Sequence, residues 1–137
     1  MGSAYMKKLG FIGMGNMAQA LAMGFINAKA IAKENVYAYA PHQEKLLKNA
    51  ETIGFTPVAT LKDLARSVDT LVMACKPYQI EAVINELGKA LEDKALISIA
   101  AGWDIAKYRQ FITTNTRLQF IMPNTPAMVG EGVLLFE

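Results

Sequence analysis

The chain has 137 residues, 53% of them hydrophobic and 19% charged, which describes one globular domain with a good-sized core and excludes a disordered tail. Its 14 Lys and Arg against 12 Asp and Glu leave a net charge of +2 spread along the chain, so neither a nucleic acid nor a membrane surface is expected as a partner. The single cysteine, Cys75, excludes an internal disulfide, no Cys/His spacing suits a metal, and no apolar stretch reaches the roughly 20 residues of a membrane span, so a reducing cytoplasm is expected.

Met1-Gly2-Ser3-Ala4-Tyr5 reads as a cloning remnant ahead of a natural start at Met6, which places one domain over residues 6–137. Leu9-Gly10-Phe11-Ile12 is the first strand, closed by Gly13-Met14-Gly15. In the helix that follows, Met17, Leu21, Phe25 and Ala28 recur at helical spacing, while Ala18, Ala22 and Gly24 keep one side small enough to lie close on a sheet. Val36 to Ala40 is the second strand, and Pro41 suits the first turn of a helix running to about residue 53 with Leu46, Leu47, Ala50 and Ile53 inward. Gly54 ends that helix, Phe55 to Val58 is a short third strand, and Thr60 with Asp63 resembles a capping box opening a short helix.

Thr70 to Cys75 is an uninterrupted apolar fourth strand of the kind expected at the centre of a sheet covered on both faces. Lys76-Pro77 ends it, and Ile80, Val83, Ile84, Leu87 and Leu91 form an amphipathic helix behind it. Ala95 to Ile99 is a fifth strand ending at Ala100-Ala101-Gly102, and Asp104 can cap a helix through roughly Ile112. Leu118 to Met122 is a sixth strand stopped by Pro123, Asn124-Thr125-Pro126 is a turn, and Gly132 to Glu137 reads as a last strand. The alternation predicts an α/β domain, a doubly wound and mostly parallel sheet with helices on both faces.

Gly13-Met14-Gly15-Asn16-Met17-Ala18 is a G-x-G-x-x-A pattern lying between the first strand and the first helix. In that setting it predicts a Rossmann-like dinucleotide site: Gly13 permits the tight turn, Gly15 admits a pyrophosphate against the backbone, and Ala18 lets the helix pack on the strand. The helix N-terminus then offers free N–H groups to the phosphates. An acid at the carboxyl end of the second strand would accept hydrogen bonds from the ribose of NAD. Glu34 has about the right separation from Gly13, but it precedes the second strand and so belongs to the opposite edge. The proper edge holds Ala40, Pro41 and His42, with Gln43 beside them and Lys45 one turn later, which predicts NADP(H) in preference to NAD(H). Further wall residues are expected at the other strand ends: Ala74, Lys76 and Pro77; Ala100, Ala101 and Gly102; and Asn124. Cys75 is read as a small buried filler and not a nucleophile.

The ordered motifs Gly10 to Ala18, Lys76-Pro77, Ser98 to Gly102 and Met122-Pro123-Asn124-Thr125-Pro126-Ala127 resemble the cofactor domain of the pyrroline-5-carboxylate reductases over residues 7–137. The resemblance implies NAD(P)H-dependent reduction of the imine L-1-pyrroline-5-carboxylate to L-proline. It implies that Gly13, Gly15, Asn16 and Met17 lie under the pyrophosphate, that Ala74 to Pro77 and Ala100 to Gly102 wall the ribose and nicotinamide site, and that Asn124 lies near the nicotinamide. It also implies a helical C-terminal domain, absent from this chain, that makes a homo-oligomer and most of the imine pocket, so the chain alone is expected to bind cofactor and turn over slowly or not at all. Two positions depart from the family: Phe120 stands where an arginine is common, and Trp103 where a smaller aliphatic residue is usual. No acid for protonating the imine is found in the chain. The competing readings are a β-hydroxyacid dehydrogenase, which shares the glycine loop, and a non-catalytic NADP-binding module; Asn16 and the Met122 to Pro126 turn favour the reductase.

Overall fold

The computed structural model describes residues 8–92, 94–99, 103–112, 116–121 and 134–136, the last six of the 119–121 and 134–136 segments by their backbone. Seven strands form one sheet: β1 (Leu9–Ile12), β2 (Val36–Tyr39), β3 (Thr56–Pro57), β4 (Thr70–Met73), β5 (Ala95–Ser98), β6 (Arg117–Ile121) and β7 (Leu134–Phe136). They lie in the order β3-β2-β1-β4-β5-β6-β7, with β4 in the middle as its apolar run predicted. The neighbouring pairs from β3 to β6 are parallel, and β7 runs antiparallel to β6. Reversal of strand order between β1 and β4 makes the doubly wound, Rossmann-like arrangement and opens a crevice at the carboxyl edge.

Successive strand side chains alternate between two cores. Leu9 and Phe11 of β1, Val72 of β4 and Ile97 of β5 meet Ala18, Leu21, Ala22 and Phe25 of α1 (Asn16–Asn27) and Leu46 of α2 (Gln43–Ile53). Ile12, Leu71, Met73 and Leu96 face the other way, onto α3 (Leu61–Ser67), α4 (Ile80–Leu87) and Tyr108 of α5 (Ile105–Arg109). With apolar cover on both faces, these strands read as continuous hydrophobic runs. Gly10 is needed for that packing: a Cβ there would sit 2.9 Å from Leu64 Cδ1 and 3.0 Å from Val68 Cγ2.

Most expected elements are present, with local corrections. The buried stripe of α1 is Ala18, Leu21, Ala22 and Phe25; Met17 and Ala28 are exposed, because the helix turns its small-residue side to the sheet. Helix α2 begins at Gln43, so Pro41 lies ahead of the helix, where the Gln43 side chain donates to the Ala40 carbonyl at 2.7 Å. Leu47 is exposed, since only the Leu46, Ala50 and Ile53 stripe faces the sheet. Gly54 ends α2 with a left-handed φ of 101°. Helix α4 stops at Gly88, φ 50°, and a 3-10 turn carries Leu91 back into the core. Two predicted caps are observed: Thr60 Oγ1 accepts from the Asp63 N–H at 3.0 Å and Asp104 Oδ1 from the Lys107 N–H at 2.9 Å. Helix α5 ends at Arg109, earlier than its apolar spacing suggested, and a turn brings Ile112 inward. Residues 1–5, 100–102 and 122–130 lie outside the described residues, so the expectations for the N-terminal remnant, Ala100, Ala101, Gly102 and Asn124 fall there too.

Candidate functional site

The carboxyl ends of β1, β2 and β4 are stitched into one floor. The Gly13 N–H donates to the Tyr39 carbonyl at 2.7 Å, and the Ala74 N–H to the Ile12 carbonyl at 3.0 Å. Gly13 turns with φ +98°, and a Cβ would press to 3.0 Å from both the Ala74 oxygen and the Cys75 nitrogen. Glycine is therefore required by conformation and by space. Gly15 differs: no described atom lies within 4 Å of where its Cβ would be, and its φ of −78° is open to any residue. A glycine that neither strain nor packing demands leaves a clear approach to the backbone.

Gly15 is also the N-cap of α1, without a side-chain cap and with no acid in the first turn. The N–H groups at that helix end and their partial positive charge are left for an anion. A cleft of about 820 Å³ opens over them, in the range of small-molecule and cofactor sites. It is lined by Gly13, Gly15 and Asn16, by Ala40, Pro41 and His42, and by Ala74 and Lys76, bringing together residues that the sequence singled out at three separate strand ends. Met17 and Pro77 adjoin the cleft without forming its wall among the described residues; Met17 is solvent-exposed, and Pro77 opens the 3-10 turn Pro77–Gln79.

Glu34 lies ahead of β2, as expected, in the exposed 3-10 turn Lys33–Asn35. Glu44, in the first turn of α2, is not part of the cleft wall. Among the described residues the wall holds one carboxylate, Glu86, well along α4. His42 and Lys45 are exposed at the start of α2 and line the cleft with Asn49, one turn beyond Lys45. Cys75 is half-buried in the wall with its Sγ 3.6 Å from Met73 Sδ, and burial pushes its thiol up to about 11, which keeps it protonated and unreactive at neutral pH. Sequence reading missed Gln19, Tyr39, Asn49 and Tyr78 as lining residues. Gln19 donates its Nε2 to the Met14 carbonyl at 3.1 Å, bracing the glycine turn. Asn49 had a readable signal, its i,i+4 spacing from Lys45.

Trp103 is buried against Tyr108 and Phe111 at ring-centroid distances of 4.9 and 5.7 Å, with Lys107 Nζ 4.7 Å from its ring. The Tyr108 hydroxyl and Ser98 Oγ share a buried 2.6 Å hydrogen bond at the end of β5. Burial pushes the Tyr108 phenol up to about 12. Among the described residues no cluster of His, Cys, Asp and Glu could hold a metal, and no helix is long and apolar enough to cross a membrane.

Residues 8–102 match the family "NADP oxidoreductase coenzyme F420-dependent". The chain belongs to this family. Within it, the resemblance read from the motifs is borne out: the chain is 34% identical over 133 residues to the pyrroline-5-carboxylate reductase of Treponema pallidum, covering 94% of this chain and 50% of that protein. Its fold superimposes on the NADP-bound pyrroline carboxylate reductase of Plasmodium falciparum with a TM-score of 0.77 at 36% identity, over 90% of this chain and 44% of the other. For the pyrroline-5-carboxylate reductase of Coxiella burnetii the TM-score is 0.80 at 29% identity, over 89% and 46%. The chain spans about half the length of the curated relatives it matches.

Proposed function

We propose that this chain is the cofactor-binding domain of an NADPH-dependent reductase that converts L-1-pyrroline-5-carboxylate to L-proline, acting in the cytoplasm with a second domain that completes the imine pocket and an oligomer. The observation that carries this reading is the cleft over Gly15, open where a Cβ would stand and uncapped at the start of α1, in a chain 34% identical to such a reductase.

The nicotinamide, when bound, supplies the hydride that reduces the protonated C=N bond. The work of this chain is to bind and orient. Gly13 and Gly15 shape the floor so that the first-turn N–H groups of α1 can meet a pyrophosphate, with Asn16 beside them. Ala74 and Lys76 wall the site at the end of β4, where the small side chains of Ala74 and Cys75 leave room for a ribose. Met17, Pro77, Ala100, Ala101, Gly102 and Asn124 complete the proposed cofactor contacts on the family pattern. A protonated imine is already electrophilic, so orientation and charge supply catalysis without a protein nucleophile, in keeping with the protonated state of Cys75.

NADPH is preferred over NADH in this proposal because the wall at the end of β2 has His42 and Lys45 and no acid, and a 2′-phosphate gains from positive charge where a bare 2′-OH would want a carboxylate. Calorimetric titration of this chain should give a Kd for NADPH at least tenfold below that for NADH, and Lys45→Ala should narrow the gap. Equal affinities refute the preference. For the reaction itself, the full-length gene should restore growth to a proline auxotroph; failure to do so overturns the substrate assignment.

A further inference from the structure

We propose that Tyr78 is a stacking platform for the purine base of the dinucleotide, an inference that rests on the cofactor reading above. Tyr78 is 78% exposed, the most exposed large hydrophobic side chain among the described residues, yet it lies on the wall of the cleft. A ring left in water at the rim of a ligand cleft gains free energy when a flat apolar partner covers it.

The backbone that carries the ring is preset. Pro77 fixes the first position of the 3-10 turn Pro77–Gln79, the Gln79 N–H donates to the Lys76 carbonyl at 2.8 Å, and the Gln79 side-chain carbonyl accepts from the Lys76 N–H at 3.3 Å. Two reciprocal hydrogen bonds close the turn that presents Tyr78, so little backbone freedom is lost when a ligand stacks on it.

The wall mixes two chemistries: the glycine turn, His42 and Lys45 suit phosphate, and Tyr78, Leu61 and Val83 offer apolar surface, with Glu86 of α4 the one carboxylate among the described lining residues. A dinucleotide phosphorylated on its adenosine ribose presents the matching pair, anionic groups and a flat purine with a π-face. The nicotinamide end is the less suited occupant of the Tyr78 side, because it must stay open to a substrate.

The test is calorimetric titration of the whole chain with three probes: NADPH, 2′,5′-ADP and nicotinamide mononucleotide. Tyr78→Ala should weaken NADPH and 2′,5′-ADP by about tenfold, the loss of one base-stacking contact, and leave nicotinamide mononucleotide unchanged. Tyr78→Phe keeps the ring and should stay within about twofold of the parent. An exposed side chain leaves the fold intact, so thermal unfolding of both variants should match the parent. If Tyr78→Ala binds 2′,5′-ADP as the parent does, or weakens all three probes alike, the platform is refuted while the cofactor reading stands. If the parent chain binds neither NADPH nor 2′,5′-ADP, the cofactor reading fails and the platform fails with it.

Discussion

Gly13 and Gly15 stand two residues apart in the same turn, and replacing each by alanine should fail in a different way. At Gly13 the new Cβ meets the Ala74 oxygen and Cys75 nitrogen at 3.0 Å with φ at +98°. Left-handed strain of roughly 1–2 kcal/mol and crowding of at least about 1 kcal/mol should destabilise Gly13→Ala by about 3 kcal/mol. For a domain of this size that lowers Tm by about 10 °C. At Gly15 the Cβ enters open space at an ordinary φ of −78°. The poorer N-cap and the stiffer unfolded chain offset each other, so stability should change by less than about 0.5 kcal/mol. That Cβ would occupy the approach to the α1 N-terminus and displace a phosphate from one charge-assisted hydrogen bond, about 2 kcal/mol or roughly 30-fold in NADPH affinity. Thermal unfolding and calorimetric titration of both variants separate the two roles. A Gly15→Ala chain that binds NADPH within about threefold of the parent, or a Gly13→Ala chain that melts with it, refutes the reasoning.

Three further outcomes follow from single side chains. Thr70 Oγ1 is buried in the central strand with no hydrogen-bond partner among the described residues, so Thr70→Val should raise stability by about 1 kcal/mol in urea titration; destabilisation would mean that the hydroxyl is satisfied. Burial pushes the Cys75 thiol from 9.0 up to about 11, so alkylation by iodoacetamide at pH 8 should run about a hundredfold slower in the folded chain than in urea; equal rates would contradict its burial. The Tyr108 phenol, at about 12 against an ordinary 10.0, holds its proton more tightly when folded. Its contribution is complete below pH 10 and is lost as pH rises toward 12, so Tyr108→Phe should flatten the fall in stability over that window, and an unchanged slope would count against it.

Much of the cleft was legible because its parts sit at strand ends. Apolar runs broken by Gly, Pro or Asn mark where strands stop, and a doubly wound sheet gathers the carboxyl ends of its strands at one edge. Hence Gly13, Ala40 and Ala74, separated widely in sequence, could be assigned to one wall before any contact was known. Tyr78 was less legible, since an exposed aromatic after a proline is an ordinary surface feature until the opposite wall is in place. Met17 and Leu47 show the limit of periodicity: apolar residues at helical spacing outnumber the positions that a sheet can cover, and the sheet selects which stripe is buried.

The sequence by itself determined the elements, the parallel alternation and the placing of the glycine turn, because hydrophobic period, caps and breakers act over a few residues. It also placed Glu34 at the wrong edge and His42 with Lys45 at the right one, since strand direction is enough for that. Only the tertiary structure decided that β7 runs antiparallel, that Gly13 is fixed by contact while Gly15 faces open space, and that Tyr78 borders the same cleft as Gly15. Those facts depend on distances between segments far apart in the chain, and local chemistry sets no such distance until the two cores have packed.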